Sequence, residues 1–124
     1  MPIPYRQELT AFLDEFADAH RGVRRGQMFG LPAIYVGRRL VTCLIEEGII
    51  VRLPEDVARR EIGSRRGAPY NHGERNSRNW VMYRPRSVAS ARALNPVLET
   101  ALRHAAERQT EEITGVRLKR TRRS

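Results

Sequence analysis

Met28-Phe29-Gly30-Leu31-Pro32-Ala33-Ile34-Tyr35-Val36 is a β-prone run with a glycine and a proline inside it, and the residues that follow it decide the fold. Gly37-Arg38 reads as a turn. Arg39-Leu40-Val41-Thr42-Cys43-Leu44-Ile45 is a second run, Glu46-Glu47-Gly48 a second turn, and Ile49-Ile50-Val51-Arg52-Leu53 a third run. Short apolar, β-branched runs with brief connections predict three consecutive antiparallel strands within residues 27–53. Gly30 and Pro32 predict a bulge, or an edge position that needs no ladder donor. Met28 and Phe29 would then either fill core or serve a binding role.

The pattern changes on both sides of this meander. Upstream, Leu9, Phe12, Leu13, Phe16 and Ala17 form one apolar stripe, which predicts a helix over residues 5–20, with Pro4 at its start and Gly22 at its stop. Downstream, Pro54-Glu55-Asp56 opens a second helix that carries Val57, Ala58 and Ile62 and stops by Gly63. Residues 64–78 are hydrophilic and loop-like, with room for a short strand around Ala68–His72. Trp80-Val81-Met82-Tyr83 is a strand, and Ser87–Leu94 a helical turn. Asn95-Pro96 reads as an N-cap and first-turn pair. Val97, Leu98, Ala101, Leu102 and Ala105 then make the stripe of a closing helix over 96–112. The predicted order is α-β-β-β-α-(β)-β-α: an α+β fold, with an antiparallel sheet of four to five strands covered by helices.

Length and composition bound the rest. At 124 residues, 40% hydrophobic and 30% charged, the sequence describes one globular domain over residues 1–115 and a basic tail over 116–124. No apolar run approaches the roughly 18 residues of a membrane span. Met1-Pro2-Ile3-Pro4-Tyr5-Arg6 lacks the pattern of a signal peptide. The single Cys43 excludes an internal disulfide framework and fits a reducing cytoplasm.

The net charge is +9, and Lys119 is the only lysine among 23 basic residues. Arginine's planar fork suits phosphate, although a base composition that favours Arg codons produces the same skew. Arg117, Lys119, Arg120, Arg122 and Arg123 place five charges in the last eight residues; the remainder has 18 basic against 14 acidic residues, or +4. Of the arginine pairs Arg24-Arg25, Arg38-Arg39 and Arg65-Arg66, the second is expected on a hairpin tip and the third in a loop before Gly67, where a phosphate-contacting wing would carry its charge. With the five tail residues the three pairs form the candidate nucleic-acid contacts.

Other chemistry is sparse. His20, His72 and His104 are too dispersed for a ligand-spacing motif, and no metal or cofactor is expected. The adjacent acids Asp14-Glu15, Glu46-Glu47, Glu55-Asp56 and Glu111-Glu112 do not face each other on a helix. No catalytic residue is assigned. Cys43 sits in an apolar strand, where a buried, unreactive thiol is expected. A small-ligand or enzymatic site would have to assemble from Cys43, Tyr70 and His72.

Met28-Phe29-Gly30 preceded by Arg24-Arg25, Ile50-Val51-Arg52-Leu53-Pro54-Glu55 feeding a helix, Gly67-Ala68-Pro69-Tyr70, Trp80-Val81-Met82-Tyr83 and the helix Leu98–Ala106 resemble, in that order, the N-terminal domain of TfoX-type proteins. The resemblance spans about residues 8–107. It departs at Gly37-Arg38-Arg39-Leu40, where the family has Asn/Asp-Gly-Lys-Met/Phe. It implies an α+β fold of the secretion-chaperone-like type and a family tied to competence and transcription regulation, without an established active site. A full competence regulator carries a second, C-terminal domain that is absent from this sequence. The first reading is therefore a cytoplasmic, non-enzymatic regulatory domain that acts through a protein partner or self-association. The second is a direct nucleic-acid binder. A contiguous basic face would favour the second, and a deep polar pocket with convergent titratable groups an enzyme.

Overall fold

The run from Met28 to Val36 is the end of one strand and the whole of the next. In the computed structural model, which describes residues 5–70 and 78–114, strand β1 (Arg24–Met28) turns at Phe29-Gly30 into β2 (Leu31–Val36). Both turn residues have positive φ, 52° and 80°. A two-residue hairpin loop of the primed type requires that geometry. Glycine adopts it freely; phenylalanine does so at a cost in strain. Gly30 thus serves a turn where a bulge was expected. Phe29, a candidate for the core, is 87% exposed at the hairpin tip.

The other elements follow in order. A short 3₁₀ turn (Gln7–Leu9) leads into α1 (Thr10–Ala19), ahead of β1. After β2 come β3 (Arg39–Leu44), β4 (Ile49–Arg52), α2 (Glu55–Gly63), the two-residue β5 (Ala68–Pro69) and β6 (Trp80–Tyr83). Then come α3 (Val88–Ala91), a 3₁₀ turn (Arg92–Leu94) and α4 (Asn95–Thr114). Asn95 is itself helical and does not cap α4; the cap is Ser87, which forms a reciprocal capping box with Ser90 at the start of α3.

Among the described residues the sheet has six strands in the order β1-β2-β3-β4-β6-β5, each antiparallel to its neighbours. The strand beyond the expected four or five is β1. Its sequence, Arg-Arg-Gly-Gln-Met, is polar because the strand lies at the edge and is half exposed, where charge discourages further pairing. The chain does carry a bulge, but in β3: Ile34 pairs with Thr42 and Tyr35 with Leu40, so Val41 is the extra residue. Val41 and Thr42 are both buried, and the Thr42 hydroxyl donates to the Ile50 carbonyl at 2.7 Å.

Alternation beyond the bulge gives the sheet two apolar faces. On one face α1 and α4 pack Phe12, Leu13, Phe16, Leu98, Ala101 and Ala105 against Ile34, Val41, Leu44, Ile49, Val51 and Val81. Each large side chain fully buried there contributes roughly 1.5–3 kcal/mol. The other face gathers Ala33, Cys43, Ile45, Ile50, Trp80 and Met82, all from strands or their ends. Among the described residues no helix is long and apolar enough to cross a membrane.

Candidate functional site: an arginine cleft at one end of the sheet

Antiparallel pairing brings the start of β3, the end of β4 and the start of β6 to the same end of the sheet, with Arg52 opposite Trp80. Two hydrogen bonds fasten this end: Leu53 N–H to the Asn79 carbonyl at 2.7 Å, and the Asn79 side-chain amide to the Leu53 carbonyl at 2.8 Å. The second half of α4 lies against it. Arg38 N–H donates to Gln109 Oε1 at 3.1 Å, and Gly37, with φ 58°, lies so close that a Cβ would stand 2.5 Å from the Gln109 side chain. The β2–β3 turn is therefore held to α4 and needs glycine at that point.

Between them lies a cleft of about 100 Å³, lined by Arg38, Arg39, Leu40, Arg52, Trp80, His104, Ala105 and Arg108. Four of these eight side chains are guanidinium groups. The Arg52 guanidinium lies 5.9 Å from the centre of the Trp80 ring, a cation–π contact. Its Nε is buried and makes no hydrogen bond among the described residues. Burial lowers the Arg52 pKa first, and the charges of Arg108 and Arg39 lower it further. Trp80 is 7% exposed, so its ring serves Arg52 and the core and offers no stacking platform.

The candidate contacts sort as follows. Arg38 and Arg39 meet in the cleft. Arg24 lies beside them: it stacks 4.7 Å from the Tyr35 ring centre and donates to the Gly37 carbonyl at 2.9 Å, bracing the turn from behind. Arg25 faces away, paired with Asp14 at 3.1 Å and near Asp18 at 3.9 Å on α1. Arg65 follows α2 in a left-handed conformation, φ 66°, and Arg66 donates twice to Glu61 Oε2, at 2.9 and 3.1 Å. Arg117, Lys119, Arg120, Arg122 and Arg123 lie outside the described residues. The pairs were thus too coarse a unit.

Arg52, His104 and Arg108 were not among the candidates. Two signals pointed to them. Arg52 is the one charged residue in an otherwise apolar strand and its exit, and His104 and Arg108 are four apart on a helix, hence on one face.

The Cys43 region has a different character. Cys43 is 0% exposed, as its apolar neighbours predicted, and its thiol donates to the Leu44 carbonyl at 3.3 Å. Burial pushes the thiol up to about 12, the opposite of what a thiolate nucleophile needs. Tyr70 is also shifted up, by burial first and then by Glu47 and Cys43. His72 lies outside the described residues. Thiol labelling of the native protein at neutral pH is accordingly expected to be slow and to accelerate on unfolding; rapid labelling would reopen the Cys43 reading. Among the described residues no three His, Cys, Asp or Glu side chains form a metal-binding group.

No protein-family model, curated protein or solved structure matches this chain.

Proposed function

We propose that this chain is a non-enzymatic cytoplasmic domain that binds nucleic acid through the arginine end of its sheet, as part of a regulatory role of the kind the TfoX resemblance implies. One observation carries the reading: Arg38, Arg39, Arg52 and Arg108 converge on one concave surface. Burial and the charges of Arg108 and Arg39 disfavour the charged form of Arg52, and a nearby phosphate would favour it. The body supplies a positioned contact, and the basic sequence after Val116 adds a diffuse one.

Binding of labelled single- and double-stranded oligonucleotides to the full chain, measured at several salt concentrations, tests the proposal. Arg39→Gln combined with Arg52→Gln should weaken binding and flatten its salt dependence by up to about 1.8, at 0.9 per phosphate contact. Deleting residues 116–124 should flatten it further and leave the effect of the double variant in place. If the full chain shows no binding even at low salt, the nucleic-acid reading fails.

Phe29 favours a second reading, contact with a protein partner. It is the one large apolar side chain exposed among the described residues, held out at a hairpin tip. Phe29→Ser should abolish such a contact and leave oligonucleotide binding unchanged.

A further inference from the structure

From the geometry around β1 we infer that Tyr35 closes the outer edge of the sheet, and that the strand it keeps out is β1 of a second copy of this chain. The inference is independent of the nucleic-acid reading above.

Hydrogen-bond direction is the first argument. Among the described residues β1 has a neighbouring strand on one side only, β2. Met28 and Leu31 close a two-residue turn, so they form a hydrogen-bonded pair, and bonded and non-bonded pairs alternate from there. Gly26–Ala33 is then a bonded pair, while Gln27–Pro32 and Arg25–Ile34 are not. Proline, which has no N–H, suits that position. The backbone groups of Arg25 and Gln27 therefore point away from β2, as the start of a further ladder.

The second argument is what meets them. The Tyr35 hydroxyl donates to the Gln27 carbonyl at 2.9 Å. Its ring crosses Gly26: a Cβ there would stand 3.2 Å from a ring carbon and 3.3 Å from an Arg24 guanidinium nitrogen. Arg24 lies 4.7 Å from the ring centre and donates to the Gly37 carbonyl, which holds the ring in place. An aromatic laid across an edge glycine supports the strand. Here its hydroxyl also takes the carbonyl that an added strand needs.

The third argument is the register. In an antiparallel pair of β1 strands centred on Gly26, Arg24 faces Met28 and Arg25 faces Gln27, so no two arginines stand opposite. All five residues pair, the outward groups of Arg25 meet those of Gln27, and glycine faces glycine where the chains come closest. A two-fold axis at Gly26 makes the contact self-complementary. The arginines alone are thus a weak barrier against a second copy, and Tyr35 supplies the rest.

Sedimentation equilibrium of the full chain over a wide range of concentration tests this. Tyr35→Phe keeps the ring and frees the carbonyl; it should tighten self-association about tenfold relative to the wild-type chain, as expected for one hydrogen bond gained. Tyr35→Ala also uncovers Gly26 and should tighten it further. If Tyr35→Ala fails to fold by circular dichroism, Tyr35→Phe decides. Adding Gln27→Lys to either variant sets a lysine opposite Arg25 of the second copy and should reverse the gain. Gln7→Lys, an equal charge on an exposed residue outside the sheet, should not. No gain on substitution of Tyr35 overturns the inference. So does a gain that Gln27→Lys leaves in place, or that Gln7→Lys reverses equally, since the contact then does not lie at β1.

Discussion

Strand β6 meets an arginine near each end, and the two arginines live in opposite electrostatic conditions. At the Trp80 end, Arg52 lies against an aromatic ring and within the field of Arg39 and Arg108, which lower its pKa together with burial. At the Tyr83 end, Arg66 meets Glu61, a carboxylate on α2 that is only 6% exposed. Glu61 accepts from Arg66 through Oε2 and from the Tyr83 hydroxyl through Oε1 at 2.8 Å. Burial alone would raise the Glu61 pKa; the donors Arg66 and Tyr83 outweigh it and leave the carboxyl below its usual value. The same acid pushes the Tyr83 phenol further up, beyond what burial does. One end is a satisfied structural network. At the other, the charges of Arg39 and Arg108 act against that of Arg52. Arginine content by itself does not separate the two; the neighbours of Arg52 and Arg66 do.

The largest effect is expected at the Tyr83 end. Glu61→Ala leaves the Tyr83 hydroxyl buried without its acceptor and should cost about 3 kcal/mol of stability by chemical denaturation. Arg66, whose side chain is 60% exposed, can turn to water, so the ion pair itself accounts for a minor part. Oligonucleotide affinity should stay as it was. Next comes the double variant Arg39→Gln, Arg52→Gln at the cleft, with the opposite signature: about a tenfold loss of affinity, near 1.4 kcal/mol, and a smaller stability loss than that of Glu61→Ala. A stability loss equal to that of Glu61→Ala would mean that the cleft is structural.

A smaller effect sharpens the contrast through pH. A carboxyl whose folded pKa is depressed contributes stability that is present above its unfolded value, near 4.3, and is lost as pH falls through the folded value. Tyr83→Phe removes one of the donors that hold Glu61 down, so it should move the acid unfolding midpoint upward and cost about 1.5 kcal/mol at neutral pH. No shift in the midpoint would show that Arg66 alone holds the carboxylate. The smallest effect is a gain. Arg65→Gly relieves a left-handed residue after α2 and should stabilise by about 0.5 kcal/mol without changing nucleic-acid affinity. A loss of affinity there would put a contact at the Tyr83 end and erase the distinction.

Much of the scaffold was legible before the structure. The run Ile49–Leu53, the strand Trp80–Tyr83 and the stripes of α1 and α4 carry their periodicity in their own residues; all are present, although β4 stops at Arg52 and α1 begins at Thr10, after a 3₁₀ turn, where a helix from residue 5 was expected. Burial of Cys43 followed the same way from its apolar neighbours. The hairpin Met28-Phe29-Gly30-Leu31 was hidden because turn chemistry leads one to look for Asn or Asp before the glycine, and a phenylalanine at positive φ carries no local signal. β1 was hidden because an edge strand need not alternate. Of the site, Arg38 and Arg39 were legible as a charged turn, while Arg52 and Arg108 come from a strand end and a helix more than fifty residues apart in sequence.

Residue type and local spacing were thus enough for the α+β class, the meander, the presence of covering helices and an excess of positive charge. Those properties depend on residue type and on spacing within ten or so neighbours, which a linear string records. Only the tertiary structure decided which arginines act together. Pairing Arg52 opposite Trp80, and docking α4 onto the Gly37 turn through Gln109, gathers four guanidinium groups at one end. The fold of α2 onto β6 brings Glu61 to Arg66 and Tyr83 at the other. Coulomb energy depends on separation through space and on burial, and both are fixed by packing between elements distant in sequence.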